Sequence, residues 1–330
     1  YILVFLFPFL CYPQTHEGNI KVPTSNIGGA MIGDIVKSEN HFFVYSQKGV
    51  IAYNKNGTVE GKIAFELTKE YGKVNPIYFW EKMYTASTSV MAYNENSLNP
   101  YLFAISPDLK IYIIDIDPGN TNSFLSYSTF VPQPDPGIFP TQPPIIFEDF
   151  KPLHGNCILK YDNSNDRLFW NIGGQNPTEN DIGSHHVRHR YFSIYNVSYN
   201  TGVSLTRIYE EYQSAAGNNY ENGSLHDIEI NQNSNDDTYD FFYLCKLSRF
   251  EVWKITKAPP YEVSWVHTED LVFTYGANYD KYKTSLKYIN DNGTHKIIAY
   301  PYSYPGVSLL SLNNPLMFVL DGDHEIGTIA

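Results

Sequence analysis

The sequence predicts an all-β protein, a β-propeller of four-stranded meander blades, with a β-sandwich or two stacked β-domains as the alternative architecture. Three observations lead there. Short runs of aromatic and β-branched residues alternate with turns rich in Asn, Asp, Gly and Pro along most of the chain. Aromatic residues make up 16% of the 330 positions and charged residues only 18%, a balance suited to half-buried strands rather than to helices or disorder. The meanders also recur at intervals of roughly 45 to 60 residues with one longer gap, the period of propeller blades, which predicts about 6 to 8 blades in the complete protein. Ser204 to Tyr212 comes nearest to a helical period, and its β-branched content argues for strand.

The clearest unit runs from His41 to Phe65. Phe42 to Ser46 forms one run, Gln47-Lys48-Gly49 turns it, and Val50 to Tyr53 returns. Asn54-Lys55-Asn56-Gly57 then turns again, Asn-Gly supplying the positive φ of a two-residue hairpin loop, and Thr58 to Phe65 follows. Met31 to Val36 precedes this unit as a first strand. Tyr101 to Ile105 pairs with Lys110 to Ile116, and Asp117-Pro118-Gly119-Asn120 leads into Ser123 to Val131. The six prolines between Pro132 and Pro144 leave too few backbone donors for a sheet interior and predict a surface loop or rigid connection. Cys157 to Tyr161 and Arg167 to Ile172 flank the turn at 162–166. The same pattern continues through 190–197, 203–209, 225–230, 239–246, 250–256 and 261–267, and through 285–289 with 294–300 across a second Asn-Gly turn. The last residues, from Asp321, read as a turn and the start of a new strand.

Tyr1 to Leu10 is almost wholly apolar and gives way to Cys11-Tyr12-Pro13-Gln14-Thr15. It is too short to cross a bilayer, so residues 1–14 read as a signal peptide whose start lies upstream, and 15–330 as a single propeller domain cut short at its C-terminal end. A buried first strand is the alternative for this run. A lipid anchor on Cys11 fits poorly, because Pro8-Phe9-Leu10 are not small residues. The expected location is secreted or cell-surface, with no membrane span once the signal is removed. Lys and Arg total 23 against 35 Asp and Glu, a formal charge of −12 that repels phosphate backbones, so nucleic acid is not an expected partner. Beyond the signal, Cys157 and Cys245 allow one disulfide in an oxidising compartment, but each sits in an apolar run that suits two separate buried thiols.

The lead-in YILVFLFPFLCYPQ and the phrases ILKYDNSNDRLFW and VIAYNKNGTVEG resemble exported β-propeller proteins of Bacteroidetes-type Gram-negative bacteria, in which a strand, a Tyr-Asp-x-x-x-Asn-x-Leu-x-Trp turn and another strand build each blade. The resemblance spans most of the chain and rests on generic motifs. It implies architecture and compartment, and no named activity.

The densest set of candidate ligands is Asp181, His185, His186 and His189 in Asp-Ile-Gly-Ser-His-His-Val-Arg-His-Arg. His185 and His189 have the spacing of one helix face, but Gly183 and Ser184 precede them, no Glu follows the first His, and Arg188 and Arg190 repel a cation. The segment therefore reads as a solvated or anion-binding loop, with His185, His186, Arg188, His189 and Arg190 placed to clasp an acidic group on a glycan. Its positive character rises as the histidines protonate near the ordinary pKa of about 6.5.

Among the acids, Asp227 and Glu229 share one face of a strand. Glycosidic acid–base work needs such a pair, but sequence gives no separation, and Asp115, Asp117, Glu148, Asp149, Glu210 and Glu211 are equally available. No nucleophile elbow, phosphate-binding loop, dinucleotide or EF-hand pattern occurs, and Asp321-Gly322-Asp323 is at most a fragment of a calcium loop. Neither a metal nor a cofactor is expected. Four Asn-x-Ser/Thr sequons, at Asn56, Asn196, Asn222 and Asn292, fall in predicted turns and matter in a eukaryotic host. The expected function is non-enzymatic binding outside the cell, as an adhesin, scaffold or carbohydrate-recognition module whose partner is an extracellular glycan or surface protein. The alternative is a polysaccharide hydrolase or lyase on the same scaffold.

Overall fold

A computed structural model of the chain describes residues 32–46, 49–66, 91–94, 100–106, 110–117, 124–132, 135, 151–152, 158–175, 189–200, 202–214, 227–231, 236–245, 249–270, 282–291, 294–303, 317–320 and 326–329. These residues form strands and turns only. The signal-like stretch, Cys157 and the whole Asp181 to Arg188 segment lie outside them. Of His189, Arg190 and Cys245 only the backbone course is described.

The strands make five antiparallel sheets, each joining consecutive strands in chain order. The first blade is β1 (Ile32–Lys37), β2 (His41–Ser46), β3 (Gly49–Asn54) and β4 (Val59–Ala64), and the second is β5 (Met91–Asn94), β6 (Tyr101–Ile105), β7 (Ile111–Ile116) and β8 (Leu125–Phe130). The third comprises β9 (Lys151–Pro152), β10 (Ile158–Asp162), β11 (Arg167–Gln175), β12 (His189–Ser198) and β13 (Ser204–Ser214). The fourth is β14 (Asp227–Ile230), β15 (Tyr239–Cys245), β16 (Arg249–Thr256) and β17 (Val263–Asp270). The fifth is β18 (Tyr282–Asp291), β19 (Thr294–Ser303), β20 (Met317–Leu320) and β21 (Ile326–Ile329). The first strands lie side by side, β1 by β5, β5 by β10, β10 by β14 and β14 by β18, so they form the inner layer about one axis. This is a β-propeller, and the sandwich and two-domain alternatives give way to it. Five blades lie among the described residues; the expected six to eight referred to a longer protein.

Burial explains which strands were legible. β3 is buried at five successive residues and β7 at four, because a middle strand faces a neighbouring blade on both sides. Such strands are continuous apolar runs. The outer strands β4 and β8 are mostly exposed and their sequence is correspondingly mixed. Three strands, β5, β9 and β20, went unread, being four, two and four residues long. β9 continues the line of β10 along β11, pairing Pro152 with Gly174 and Lys151 with Gln175.

Turn chemistry follows the sequence with one correction. The Asn54 to Thr58 connection is not a two-residue loop. Asn54 N–H donates to Thr58 O, Asn54 Oδ1 accepts from Asn56 and Thr58, and the register slips between Ala52 and Tyr53, so Gly57 (φ 82°) closes a longer, bulged loop. Gly49 (φ 155°) is required for a different reason: a Cβ there would lie 1.9 Å from Ile63 O.

Blades 1 and 2 meet through apolar and aromatic side chains. Phe43, Tyr45, Phe65, Phe103 and Tyr112 share one cluster, with Phe65 4.7 Å from Tyr112 between ring centroids. Tyr45 Oη donates to Ile105 O at 2.7 Å, and Glu66 N–H donates to Tyr112 Oη at 2.6 Å. Leu159, Tyr161, Leu168 and Trp170 of blade 3 extend this cluster. Their neighbours Ile158 and Phe169 instead pack with Ile228, Ile230, Phe242 and Leu244 of blade 4. Alternation along β10 and β11 thus sends one set of side chains to each adjacent blade.

Candidate functional site

The register of blade 3 fixes what faces blade 4. Ile158 pairs with Asn171, Lys160 with Phe169 and Asp162 with Arg167, and directly opposed residues share a face. Two polar groupings therefore enter the contact between these blades. At the end where β10 turns into β11, the Arg167 guanidinium is 2% exposed and sits 2.8 Å from Asp240 Oδ2 of β15. Arg167 also reaches Thr256 O at 3.4 Å and lies over the Tyr261 ring at 5.4 Å, while Lys257 Nζ is 3.8 Å from Asp240 Oδ1. Asp162 closes the turn beside it, accepting from Ser164 N and Asn165 Nδ2. Burial holds its carboxyl above the usual carboxylate range, against the pull of these two donors and of Arg167.

The second grouping lies on the inner strands. Lys160 Nζ of β10 is 3.9 Å from both Asp227 Oδ1 and Glu229 Oε2 of β14. On β14, Ile228 and Ile230 face blade 3, so Asp227 and Glu229 belong to the opposite face. The outer edge of β14 is taken by β15. The lysine therefore reaches the carboxylates round the inner edge, the side nearest the axis. Asp227 and Glu229 are buried, with side-chain exposures of 7% and 11%, and Lys160 at 23% is the partly open member of the group. Asp227 Oδ1 also accepts from Ile228 N–H at 2.9 Å and Glu229 Oε1 from Ile230 N–H at 3.2 Å, which orients both carboxylates. At 3.9 Å neither ion pair has hydrogen-bond length.

Of the acidic candidates read from sequence, the structure brings Asp227 and Glu229 together and disperses the others that it describes. Asp115 and Asp117 lie at the end of β7, where burial and then the Asp117 charge raise the Asp115 carboxyl. Glu210 on β13 accepts from Tyr191 Oη, pairs with Arg207 at 2.8 Å and receives Asp135 N–H at 3.3 Å. Glu148 and Asp149 lie outside the described residues, as do Asp181, His185, His186 and Arg188. The strands flanking that segment are placed: β11 leads out at Gln175 and β12 returns at His189, which pairs with Gly174 and Ser214. This is the end of blade 3 where β10 begins, and Asp227 opens β14 at the corresponding end of blade 4.

Among the described residues, no three His, Cys, Asp or Glu side chains are arranged to hold a metal ion, and no helix is long and apolar enough to cross a membrane. Sequence reading missed Lys160. The available signal was a lone lysine among Ile158, Leu159 and Tyr161, where an ammonium needs a partner.

No protein-family model and no curated protein matches the sequence. Solved structures do. A protein from Lactobacillus plantarum is similar with a TM-score of 0.51 at 12% identity, over 92% of this chain and 71% of that one. The N-terminal domain of Nup159 gives 0.40 at 8% identity, over 81% and 62%. An exo-β-1,3-galactanase from Phanerochaete chrysosporium gives 0.35 at 9% identity, over 71% and 47%, so this chain spans less than half of that enzyme. Likeness at these identities concerns the fold alone.

Proposed function

We propose that the protein is an exported glycan-recognition module that binds its ligand at the axial edge of blades 3 and 4. The observation that supports this reading is the Lys160, Asp227 and Glu229 group: two oriented carboxylates and one ammonium, partly open, on neighbouring inner strands. Two acceptors beside a donor match the hydroxyls of a neutral saccharide, and none of the three lies on a loop that must first be ordered. His185, His186, Arg188, His189 and Arg190 are proposed as a second, anion-directed part of the same surface. Their segment leaves and re-enters blade 3 at the end where the inner strands begin.

A hydrolase is the second reading, favoured by the closeness of Asp227 and Glu229. Their oxygens share one ammonium at 3.9 Å each, so those two oxygens lie no more than about 7.8 Å apart, an upper limit compatible with glycosidase carboxyl spacings. The equal distances weigh the other way, since acid–base division of labour needs two carboxyls in different environments. The experiment is to present the full chain with a panel of neutral and acidic polysaccharides and to measure both retention and new reducing ends. Retention without reducing ends is the expected outcome. Reducing ends that vanish in Asp227→Asn and Glu229→Gln would establish the hydrolase, and neither retention nor reducing ends would reject both readings.

A further inference from the structure

We propose that Asn56 is an acceptor for an N-linked glycan when the chain passes through a compartment that holds an oligosaccharyltransferase. Asn56-Gly57-Thr58 satisfies the acceptor pattern, and the fold presents it at the tip of the β3–β4 turn with Asn56 and Thr58 both exposed. The turn does not use the acceptor side chains. It is held by Asn54, whose Oδ1 accepts from Asn56 N–H and Thr58 N–H at 3.0 Å each and whose Nδ2 donates to Glu60 Oε1, and by Gly57 N–H donating to Asn54 O at 2.9 Å. The Asn56 amide and the Thr58 hydroxyl, the two groups the transferase must engage, are thus left out of the scaffold of the turn.

Asn196 satisfies the same pattern and differs in every physical respect. It is half-buried in the interior of β12, pairing with Arg167 on one side and Thr206 on the other, which corrects its expected place in a turn. A branched sugar there would have to displace blade packing. In the transfer, Asn56 Nδ2 attacks the anomeric carbon of a lipid-pyrophosphate-linked oligosaccharide. The carbon–nitrogen bond forms as the carbon–oxygen bond to pyrophosphate breaks, and the amide proton goes to a base of the transferase. β3 runs away from the end where the inner strands begin, so the glycan would sit at the opposite end from Asp227 and leave the binding edge clear.

The proposal takes from the reading above only that the chain is exported, and its test depends on neither ligand binding nor the native export route. The full chain is produced behind a heterologous leader in a eukaryotic host and recovered from the secretory fraction. It is treated with peptide N-glycosidase in heavy-oxygen water, and the peptides are weighed. Conversion of Asn56 to heavy-oxygen aspartate in most molecules is expected, with Asn196 unchanged. Thr58→Ala should abolish the conversion and Thr58→Ser should keep it, at lower occupancy. An Asn56 peptide recovered unmodified from the parent protein overturns the proposal, whatever the occupancy at Asn222 or Asn292.

Discussion

The contact between blades 1 and 2 and that between blades 3 and 4 solve the same packing problem with different chemistry. The first is a continuous aromatic and aliphatic cluster crossed by single hydrogen bonds, from Tyr45 Oη to Ile105 O, from Met91 N–H to Asp34 Oδ2 and from Lys110 Nζ to Glu66 O. The second has its own apolar centre, in which Phe169 and Phe242 rings lie 5.2 Å apart, but carries charges to either side of it: Arg167 with Asp240 at the turn end, and Lys160 with Asp227 and Glu229 on the inner edge. Charged side chains occur at both contacts, and what calls for a reason at the second is their pairing across it. At the turn end the side chains of Arg167 and Asp240 are 2% and 8% exposed, and a pair so enclosed contributes specificity of docking more than stability. On the inner edge the carboxylates are about as enclosed, at 7% and 11%, and the opening lies at Lys160, at 23%.

The largest expected effect comes from breaking the sealed pair. Arg167→Met strands Asp240 without its main partner and should lower unfolding free energy by about 3–5 kcal/mol, while Arg167→Met with Asp240→Leu should recover most of that loss. Denaturant midpoints of the parent, both single variants and the double check this. A double variant as unstable as the worse single would show that the pair itself stabilises the blade contact. On the apolar side, Gly49→Ala forces a Cβ against Ile63 O and should cost about 2–3 kcal/mol by the same measurement. Tyr45→Phe leaves Ile105 O without its phenol and should cost about 1 kcal/mol.

A smaller effect concerns pH. Because burial raises the Asp162 carboxyl above its unfolded value, the folded protein binds that proton more tightly than the unfolded chain. This group's contribution therefore improves as pH falls from above its folded value into the ordinary carboxylate range, and worsens as pH rises again. Asp162→Asn should remove that component from the acid limb of the stability curve. An unchanged limb would place the slope on other carboxylates.

The blades were legible where physics repeats locally. Val50 to Tyr53, Leu102 to Ile105 and Ile111 to Ile114 are apolar without a break because both faces are covered, and turns such as 162–166 announce themselves through Asp and Asn. Short pieces were not: Met91–Asn94 has too few residues for a period, and the extra residue that bulges Ala52 and Tyr53 leaves no compositional trace. The site was half legible. Asp227 and Glu229 could be paired from strand alternation, but Lys160 is separated from them by three strands and four connections, and only the juxtaposition of first strands brings it near. Arg167 and Asp240 were hidden for the same reason.

We propose that the inner-edge group binds ligand while the turn-end pair holds structure. Calorimetric titration of the saccharide retained by the parent into Glu229→Gln tests it most directly, since this change keeps the side-chain shape and the acceptor for Ile230 N–H. Affinity weakened at least tenfold, about 1.4 kcal/mol, is expected, with an unchanged unfolding midpoint. A Glu229→Gln protein that binds the saccharide as tightly as the parent would contradict it.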